Sequence, residues 1–426
     1  MFVSYGLIKM LNNYICALDI GSSKIAVVLA RIKKNRLVNL YFDSLPIKGV
    51  REGAIIDSIG LIGSVGKILK ALKAKSGVNI KFVSVNISGQ DIITKHSHAI
   101  IPLAERGNKV ISVSDMQRAT EQARVLGSSL EDEIIHMFPT GYSIDSKNNI
   151  LNPLGLYSHR LEVDLYLVCA KLSSVESLSR VINQSGYEIK NLFFSGIATS
   201  KAVFSSGFKE GFNLLCDLGS DTTELLIFKD GLLNDIQILP FGGNDLTQKL
   251  SDNLKIPLDL AEAIKCSYGF IGNPSEVAED KEILVKKNEF YKPIKQRLVA
   301  EIITASAREI CSKIKSAAEK KVAFHKLSNF VVVGRTILLE GFIETLENTL
   351  NAPVKLGRLT NLEIISLIKE NSELSGQKYL NYLTCLGMIC EALENKPLGI
   401  LPLRQPAKNL VLKLINRVKE VYQEYF

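Results

Sequence analysis

The sequence predicts an α/β protein built from two related lobes. A meander of three apolar strands separated by short polar turns occurs near the start of the chain and again in its second half, at residues 14–20, 25–32 and 37–45 and at residues 213–218, 223–228 and 232–239. In each copy the first strand ends at an aspartate that precedes a glycine-containing turn, at Asp19 and at Asp217. Such a duplication indicates two lobes that face each other across a cleft. The length of 426 residues suits two large lobes or three domains.

The composition indicates a packed globular protein. Hydrophobic residues make up 46% of the chain and charged residues 23%, which excludes a disordered or collagen-like protein. The formal charge of +8 is spread without a long basic run, so it argues only weakly for nucleic acid, and anionic lipid is an equal candidate. Seven cysteines without a Cys-x-x-Cys pair indicate reduced core thiols of a cytosolic protein. No apolar run reaches the roughly 18 to 20 residues that span a bilayer.

The two aspartate-containing turns have the chemistry of a phosphate site. Their small residues leave backbone N–H groups accessible, and such turns cradle phosphate oxygens. The aspartate beside each turn can hold a water molecule of hydrated Mg²⁺, which prefers oxygen ligands. The duplication therefore indicates one phosphate site shared by both lobes.

Further helices and strands follow from the apolar periodicity. It predicts helices at residues 59–75, 173–184, 244–253, 258–268, 294–320 and 379–393, and short strands at residues 83–88 and 330–333. Residues 84–165 alternate strand-like runs with a helix at residues 114–126, opened by Ser114 and Asp115, and indicate an inserted subdomain. Residues 277–293 are charged and weakly patterned.

The end of the chain predicts a helix that lies on a membrane surface. Three prolines make residues 396–407 an extended tether, and residues 408–426 have one apolar face, aromatic residues at the tip and a basic start. The candidate membrane residues are Leu414, Ile415, Val418, Val421, Tyr422, Tyr425 and Phe426, with Lys413 and Arg417. Each basic residue near anionic lipid adds on the order of 1 kcal/mol to binding. The alternative is that this helix docks on the protein's own core.

The motifs taken together resemble those of the actin, Hsp70 and sugar-kinase superfamily. Residues 17–24 (ALDIGSSK) resemble its first phosphate motif, residues 217–224 (DLGSDTTE) the second, residues 331–334 (VVVG) the adenosine motif, and residues 260–265 (LAEAIK) the helix that reaches the ribose. Within this superfamily, residues 152–156 (NPLGL) and 194–200 (FSGIATS) resemble segments peculiar to the bacterial cell-division family FtsA. The resemblance covers about residues 13–426.

This resemblance implies the fold class and its subdomains. It implies an α/β, actin-like two-lobed fold with duplicated RNase H-like subdomains and an inserted FtsA-type 1C subdomain. The implied divisions are an N-terminal extension at 1–12 with Met10 as an alternative start, subdomain 1A at 13–83 and 166–202, 1C at 84–165, 2A at 203–243 and 325–378, 2B at 244–324, a return helix to 1A at 379–395, a linker at 396–407 and the amphipathic membrane-targeting helix at 408–426.

The resemblance also assigns residues to a site for ATP and Mg²⁺. It implies phosphate contacts from Gly21, Ser22, Ser23, Lys24, Gly219 and Thr222, Mg²⁺ held through water by Asp19 and Asp217, ribose contacts from Glu262 and Lys265, and adenosine contacts from Gly334 and Arg335. The alternatives are that the aspartates only cap strand ends, that Lys24 is a solvated charge, and that Glu262 and Lys265 form a surface ion pair.

Two departures from the family pattern weaken this expected site. Ser220 and Asp221 replace glycines that are usual in the second turn, which adds a carboxylate where phosphate is expected, and a like charge at ~4 Å costs about 1 to 4 kcal/mol. Arg335 also replaces a usual glycine, and it can either stack on adenine or fill the pocket. We therefore expect ATP binding at reduced affinity. We expect weak hydrolysis at most, since we assign no catalytic residue.

The function implied by the resemblance is that of a cell-division adaptor. It would bind ATP, polymerise in an actin-like way and hold FtsZ filaments on the cytoplasmic face of the inner membrane at the division site, with other division proteins as partners and no nucleic acid. Its subdomain 2B would bind the FtsZ C-terminal peptide, with Arg297 and Arg308 as candidate contacts or, alternatively, as solvated helix charges. The rival functions are a small-molecule kinase, for which we find no catalytic base, and a chaperone-type ATPase, which would carry a substrate domain after the lobes.

Overall fold

The computed structural model describes residues 14–33, 36–104, 107–145, 147–204, 210–278, 281–287, 290–369, 374 and 377–394. The predicted extension at 1–12, the linker at 396–407 and the membrane-targeting helix at 408–426 lie outside the described residues. The strands are β1 Tyr14–Ile20, β2 Lys24–Lys33, β3 Arg36–Pro46, β4 Val50–Arg51, β5 Ala54–Ile55, β6 Phe82–Ile87, β7 Ile92–Pro102, β8 Lys109–Val110, β9 Asp132–Ile144, β10 Lys147–Ile150, β11 Tyr157–Ser158, β12 Arg160–Lys171, β13 Glu188–Phe194, β14 Phe212–Leu218, β15 Thr223–Lys229, β16 Leu232–Leu239, β17 Glu282–Lys287, β18 Phe290–Lys295, β19 Leu327–Val333 and β20 Val354–Leu356. The α-helices are α1 Ser58–Ser76, α2 Val113–Gly127, α3 Leu172–Gln184, α4 Ser195–Val203, α5 Gly243–Leu254, α6 Leu258–Tyr268, α7 Gln296–Glu319, α8 Phe342–Leu350, α9 Leu362–Lys369 and α10 Leu383–Leu393.

The first lobe is a five-stranded sheet that begins with the predicted meander. β1, β2 and β3 pair antiparallel, and β6 and β13 extend the sheet with parallel pairing, in the order β13-β6-β1-β2-β3. Successive residues of β2 enter two different cores: Ile25 packs with residues of α1 and α3, and Ala26 packs with residues of α9 and α10. Both faces of the sheet are therefore covered, which explains why β2 is a nearly continuous apolar run.

The second lobe repeats the topology of the first. β14, β15 and β16 pair antiparallel, β19 and β20 add parallel pairs, and the order is β16-β15-β14-β19-β20. Each sheet therefore has the third, second and first strands of its meander in that order, followed by two parallel strands, as β3-β2-β1-β6-β13 and β16-β15-β14-β19-β20. Leu215, Leu226 and Val331 of the second lobe pack in the same cluster as β1 of the first, so one apolar core joins the lobes at their base. The duplicated α/β architecture predicted from the sequence is confirmed.

An inserted subdomain lies between β6 and α3. Its sheet has the order β10-β9-β12-β7 with antiparallel pairs, and α2 packs on it through Ala119 and Ala123. The N-cap of α2 is Ser112, whose side chain accepts a hydrogen bond from the N–H of Asp115, so the prediction that Ser114 opens the helix was wrong. The expected boundary at residue 84 falls inside β6, which belongs to the sheet of the first lobe.

A second insertion lies between β16 and β19 and contains α5, α6 and α7. Their apolar faces share a core that includes Leu246, Ile264 and Ile303. The weakly patterned residues 277–293 contain most of a hairpin, β17 paired with β18, which runs directly into α7. Ile283 of this hairpin is buried and Leu284 is exposed. Because only one face of this strand is buried, the apolar pattern of the sequence did not predict it.

Helix α10 packs very closely on α4. The predicted helix at 379–393 begins as a 3₁₀ segment, Lys378–Tyr382, and continues as α10. A Cβ at Gly387 would overlap the carbonyl oxygen of Ala198 on α4, so only glycine allows this approach. The close packing fixes the start of α10, where Thr384 lines the cleft between the lobes.

We expect Gly387→Ala to destabilise the protein by roughly 1 to 3 kcal/mol, because the added methyl group meets backbone that cannot move aside. Gly63→Ala in α1 is the matched control. Nothing lies within 4 Å of a Cβ at Gly63, so the higher helix propensity of alanine should stabilise by about 1 kcal/mol. Urea unfolding measures both effects, and changes of the same sign would contradict the contact between α10 and α4.

Candidate functional site

The two predicted phosphate turns lie against each other across the cleft. In each turn the glycine N–H, of Gly21 or of Gly219, donates to the carbonyl three residues later at 3.0 Å. The hydroxyl of Ser220 donates to the hydroxyl of Ser23 at 2.7 Å, so the tips of the turns touch. The N–H of Gly243, at the start of α5, donates to the carbonyl of Gly219 at 2.9 Å and fixes the second turn. The same local geometry therefore occurs twice, once on each wall.

All twelve residues expected to contact nucleotide or Mg²⁺ line this one cleft, which has a volume of about 260 Å³. They are Asp19, Gly21, Ser22, Ser23, Lys24, Asp217, Gly219, Thr222, Glu262, Lys265, Gly334 and Arg335. The tertiary structure thus brings together four segments that are far apart in the chain.

Two partly buried carboxylates lie at the base of the cleft. Asn86 Nδ2 donates to Asp19 Oδ1 at 2.8 Å, and Thr199 Oγ1 donates to Asp217 Oδ2 at 3.2 Å. Burial raises the pKa of Asp19. Burial, followed by the negative charge of Asp19, raises the pKa of Asp217 to about 6. Both carboxylates would therefore gain from a nearby cation.

Lys24 supplies positive charge beside these carboxylates. Its Nζ donates to the carbonyl of Asn381, just before α10. Burial lowers the pKa of Lys24 to about 8, although the charge of Asp19 acts in the opposite direction. Lys24 is therefore not a solvated surface charge.

A further acid in the cleft, Glu224, was not assigned to the site from the sequence. It lies directly opposite Asp217 in the pairing of β14 with β15, is 4% exposed and accepts a hydrogen bond from the hydroxyl of Ser88. Burial, followed by the charge of Asp217, raises the pKa of Glu224 to about 8. An available signal was an acid inside an otherwise apolar strand, placed across a hairpin from another acid.

At the second wall the buried Lys265 pairs with the partly exposed Glu262. Lys265 is 5% exposed, and its Nζ lies 2.6 Å from Glu262 Oε2, 2.9 Å from the carbonyl of Gly243 and 2.8 Å from Thr247 Oγ1. Burial acts to raise the pKa of Glu262, but the charge of Lys265 and hydrogen bonds outweigh it and the pKa is lowered. The pair is not a surface ion pair. Glu262, whose side chain is 44% exposed, lines the cleft.

The residues that depart from the family pattern make contacts across the cleft. Asp221 Oδ2 accepts from the N–H of Glu52 at 3.0 Å, and its Oδ1 accepts from Asn244 Nδ2 at 2.5 Å. Both carboxylate oxygens of Asp221 are therefore held by protein groups. Arg335 Nη2 donates to Ser23 Oγ at 2.7 Å, so its guanidinium reaches the first phosphate turn.

The residues present fit the phosphates of a nucleotide and a hydrated Mg²⁺. Asp19 and Asp217 would supply oxygen acceptors for metal-bound water, and Lys24 would supply positive charge for phosphate. The second turn leaves no room for a side chain at its glycine, since a Cβ on Gly219 would lie 2.8 Å from the carbonyl oxygen of Thr222. Glycine is therefore required for the turn to close on itself.

The candidate partner-binding arginines lie on α7, away from the cleft. Arg308 is exposed, and Arg297 Nε lies 3.6 Å from Glu301 Oε1. Because the two arginines are about three helical turns apart, they share one face of α7. The candidate membrane residues lie outside the described part of the chain, within which no helix is long and apolar enough to cross a bilayer.

Solved structures define the class of this protein. The PilM-PilN type IV pilus biogenesis complex shares the fold, with a TM-score of 0.61 and 15% identity over 89% of this chain and 98% of that one. MreB5 of Spiroplasma citri bound to ADP shares it with a TM-score of 0.50 and 12% identity, over 90% of this chain and 99% of that one. At these identities the similarity shows the fold alone. Together with the duplicated sheets it defines an actin-like protein, as the resemblance implied.

The sequence comparisons then identify the family. The family described as "Cell division protein FtsA" matches residues 214–381, and the "SHS2 domain inserted in FTSA" matches residues 89–169. Cell division protein FtsA of Borreliella burgdorferi is 28% identical over 353 residues, 82% of this chain and 85% of that protein. The Bacillus subtilis protein of the same name is 23% identical over 380 residues, 86% of each chain. The chain belongs to the FtsA family of cell-division proteins, and the predicted family is confirmed.

Glu224 gives a prediction about the effect of pH on stability. Its pKa is about 8 in the folded protein against an ordinary value of 4.5, so the folded state binds more protons between these values. The free energy of unfolding therefore falls as pH rises through this window. Glu224→Gln removes the titration. Between about pH 5 and about pH 8, the free energy of unfolding of this variant should therefore fall by roughly 3 kcal/mol less than that of the unsubstituted protein.

Urea unfolding at the two pH values measures this difference. Glu176→Gln, on the exposed side of α3, is the control and should follow the unsubstituted protein. Parallel pH profiles for the unsubstituted protein and Glu224→Gln would show that Glu224 titrates normally.

Proposed function

We propose that this protein is the adaptor that holds FtsZ filaments on the cytoplasmic face of the inner membrane at the division site. In this proposal it binds ATP and polymerises in an actin-like way. The observation that carries the nucleotide step is the meeting of two phosphate turns with Asp19, Asp217 and Lys24 beside them. Membership of the FtsA family favours this adaptor over a small-molecule kinase.

The nucleotide would lie with its phosphates between the two turns. Ser22 and Ser23 would face them from the first lobe, and Gly219 and Thr222 from the second. Asp19 and Asp217 would hold water molecules of the metal, and Glu262 would accept from the ribose. When bound, Mg²⁺ neutralises part of the phosphate charge and relieves the two carboxylates of their mutual repulsion.

The FtsZ peptide would bind on the second insertion. The peptide expected from the family carries acidic and apolar residues. The exposed face of α7 offers Arg308 together with the exposed side chain of Leu298. Arg297 lies on the same face beside Glu301, so an acidic peptide would have to compete with this carboxylate.

Membrane attachment would come from the predicted helix at 408–426, and self-assembly from contacts of the inserted 1C subdomain. The anchor combines an apolar face with Lys413 and Arg417, which favour anionic headgroups, whereas Glu420 and Glu424 oppose them. One such helix gives moderate affinity. A polymer would multiply many moderate anchors into firm attachment.

The nucleotide step is tested with Asp19→Ala. We expect this variant to lose MgATP binding in calorimetry while it remains folded by circular dichroism, since the carboxylate for metal-bound water is removed. Asp132→Ala is the control, because Asp132 pairs with Lys95 in the inserted subdomain, away from the cleft. Tight MgATP binding by Asp19→Ala would argue against the assigned role.

The adaptor step is tested by co-sedimentation with liposomes that contain anionic lipid. With MgATP, the full chain should carry FtsZ into the liposome pellet. A chain truncated after Ala407 should leave both proteins in the supernatant, because it lacks the predicted anchor. Arg308→Glu should still pellet but carry several-fold less FtsZ.

Arg180→Glu, an exposed reversal on α3, is the charge-matched control and should behave as the full chain. Undiminished pelleting of the truncated chain would refute the membrane anchor. Unchanged FtsZ recruitment by Arg308→Glu would refute only the peptide site.

A further inference from the structure

Arg335 projects from a fixed point on the wall of the cleft. The preceding Gly334 has a φ of +103°, and a Cβ there would overlap the carbonyl of Leu218 on β14. Backbone this close to β14 cannot shift without breaking the contact, and only glycine tolerates the conformation. The base of the Arg335 side chain is therefore held rigidly beside the second phosphate turn.

The guanidinium of Arg335 meets both phosphate turns at one point. Its Nη2 donates to Ser23 Oγ at 2.7 Å, and the same Ser23 Oγ lies 2.7 Å from the hydroxyl of Ser220. This three-residue bridge crosses from one lobe to the other. It lies between the tips of the turns, in the space that the proposed function gives to the terminal phosphates.

Arg335 is a better partner for a phosphate than for a serine. A guanidinium has five N–H donors in a planar fork, and a neutral hydroxyl satisfies only one of them. A phosphoryl group offers several charged oxygens and accepts two parallel hydrogen bonds, each about twice as strong as a neutral one. Since Arg335 is exposed, its side chain is free to exchange one acceptor for the other.

The local charges also favour an anion at this point. The positive charge of Arg335 is one of the causes that lower the pKa of Lys24, after burial, so the two cations lie near each other. Two neighbouring cations repel unless an anion lies between them. The charges of Asp19 and Asp217 act on Lys24, whereas the carboxylate of Asp221 is held by Glu52 and Asn244.

We propose that Arg335 binds the terminal phosphates of the nucleotide, and that its bridge to Ser23 and Ser220 is replaced by phosphoryl oxygens when a nucleoside di- or triphosphate enters the cleft. This inference rests on the proposed nucleotide binding and assigns Arg335 a role different from adenine stacking. It also makes Arg335 a specificity residue, because it distinguishes nucleotides by the length of their phosphate chain.

The test is calorimetric titration of the full-length protein with MgATP and with AMP, which shares the adenine, the ribose and the first phosphate. We expect Arg335→Ala to bind MgATP about ten-fold or more weakly and to bind AMP with unchanged affinity. Arg335→Lys, which keeps the charge but loses the fork, should give an intermediate loss. Arg180→Ala, an exposed arginine on α3, is the control and should bind both ligands like the unsubstituted protein.

Three results would overturn the assignment of Arg335 while leaving nucleotide binding intact. Unchanged MgATP affinity in Arg335→Ala would show that the side chain is not a ligand. Tighter binding would show that it obstructs the site. An equal loss for MgATP and AMP would place it on the base or the ribose. If the unsubstituted protein itself binds no MgATP, the proposed nucleotide function fails and this inference fails with it.

Discussion

Asp19 and Asp217 lie near enough for the charge of one to raise the pKa of the other, and the arrangement of the whole cleft depends on holding them there. Like charges withdrawn from water are unfavourable unless a cation or a proton compensates them. Lys24 supplies part of that compensation, since its charge acts to lower both pKa values. The apolar core shared by the lobes holds this unfavourable group in place. The unfavourable free energy of these two carboxylates favours the binding of a metal ion, together with a polyanion bound to that metal.

The duplicated sheets create this site, and the differences between them give it two unlike walls. In the first lobe Asn86 at the end of β6 donates to Asp19. In the second lobe the equivalent strand, β19, places Val333 beside Asp217 and then continues into a glycine. Asp217 therefore takes its hydrogen bond from Thr199 on α4 instead. One wall supports its carboxylate from the sheet, and on the other wall the carboxylate is supported from a helix.

The cleft also links surfaces that lie far apart. The inserted subdomain belongs to the first lobe, whereas α7 belongs to the second. Among the described residues, the contacts between the lobes at the mouth of the cleft are polar. They are Ser220 and Arg335 with Ser23, Asp221 with the N–H of Glu52, and the exposed pair Lys48 and Asp259 at 3.2 Å. Polar contacts of this kind are worth little in water, so a ligand between the turns would dominate the relative position of the lobes. Under the proposed function, that is how nucleotide would influence assembly and partner binding.

The sequence by itself determined the duplicated meanders, the turns at Asp19 and Asp217 and the family, because these depend on local periodicity and on residues adjacent in the chain. Through motifs of consecutive residues it also indicated twelve of the residues that line the cleft, although not Glu224. Only the tertiary structure decided that Lys265 is buried, that Asp221 is held by Glu52 and Asn244, and that Arg335 reaches Ser23. Side-chain direction and burial depend on contacts between different segments, from 18 residues apart for Lys265 and Thr247 to 312 for Arg335 and Ser23, and local pattern carries no information about such contacts.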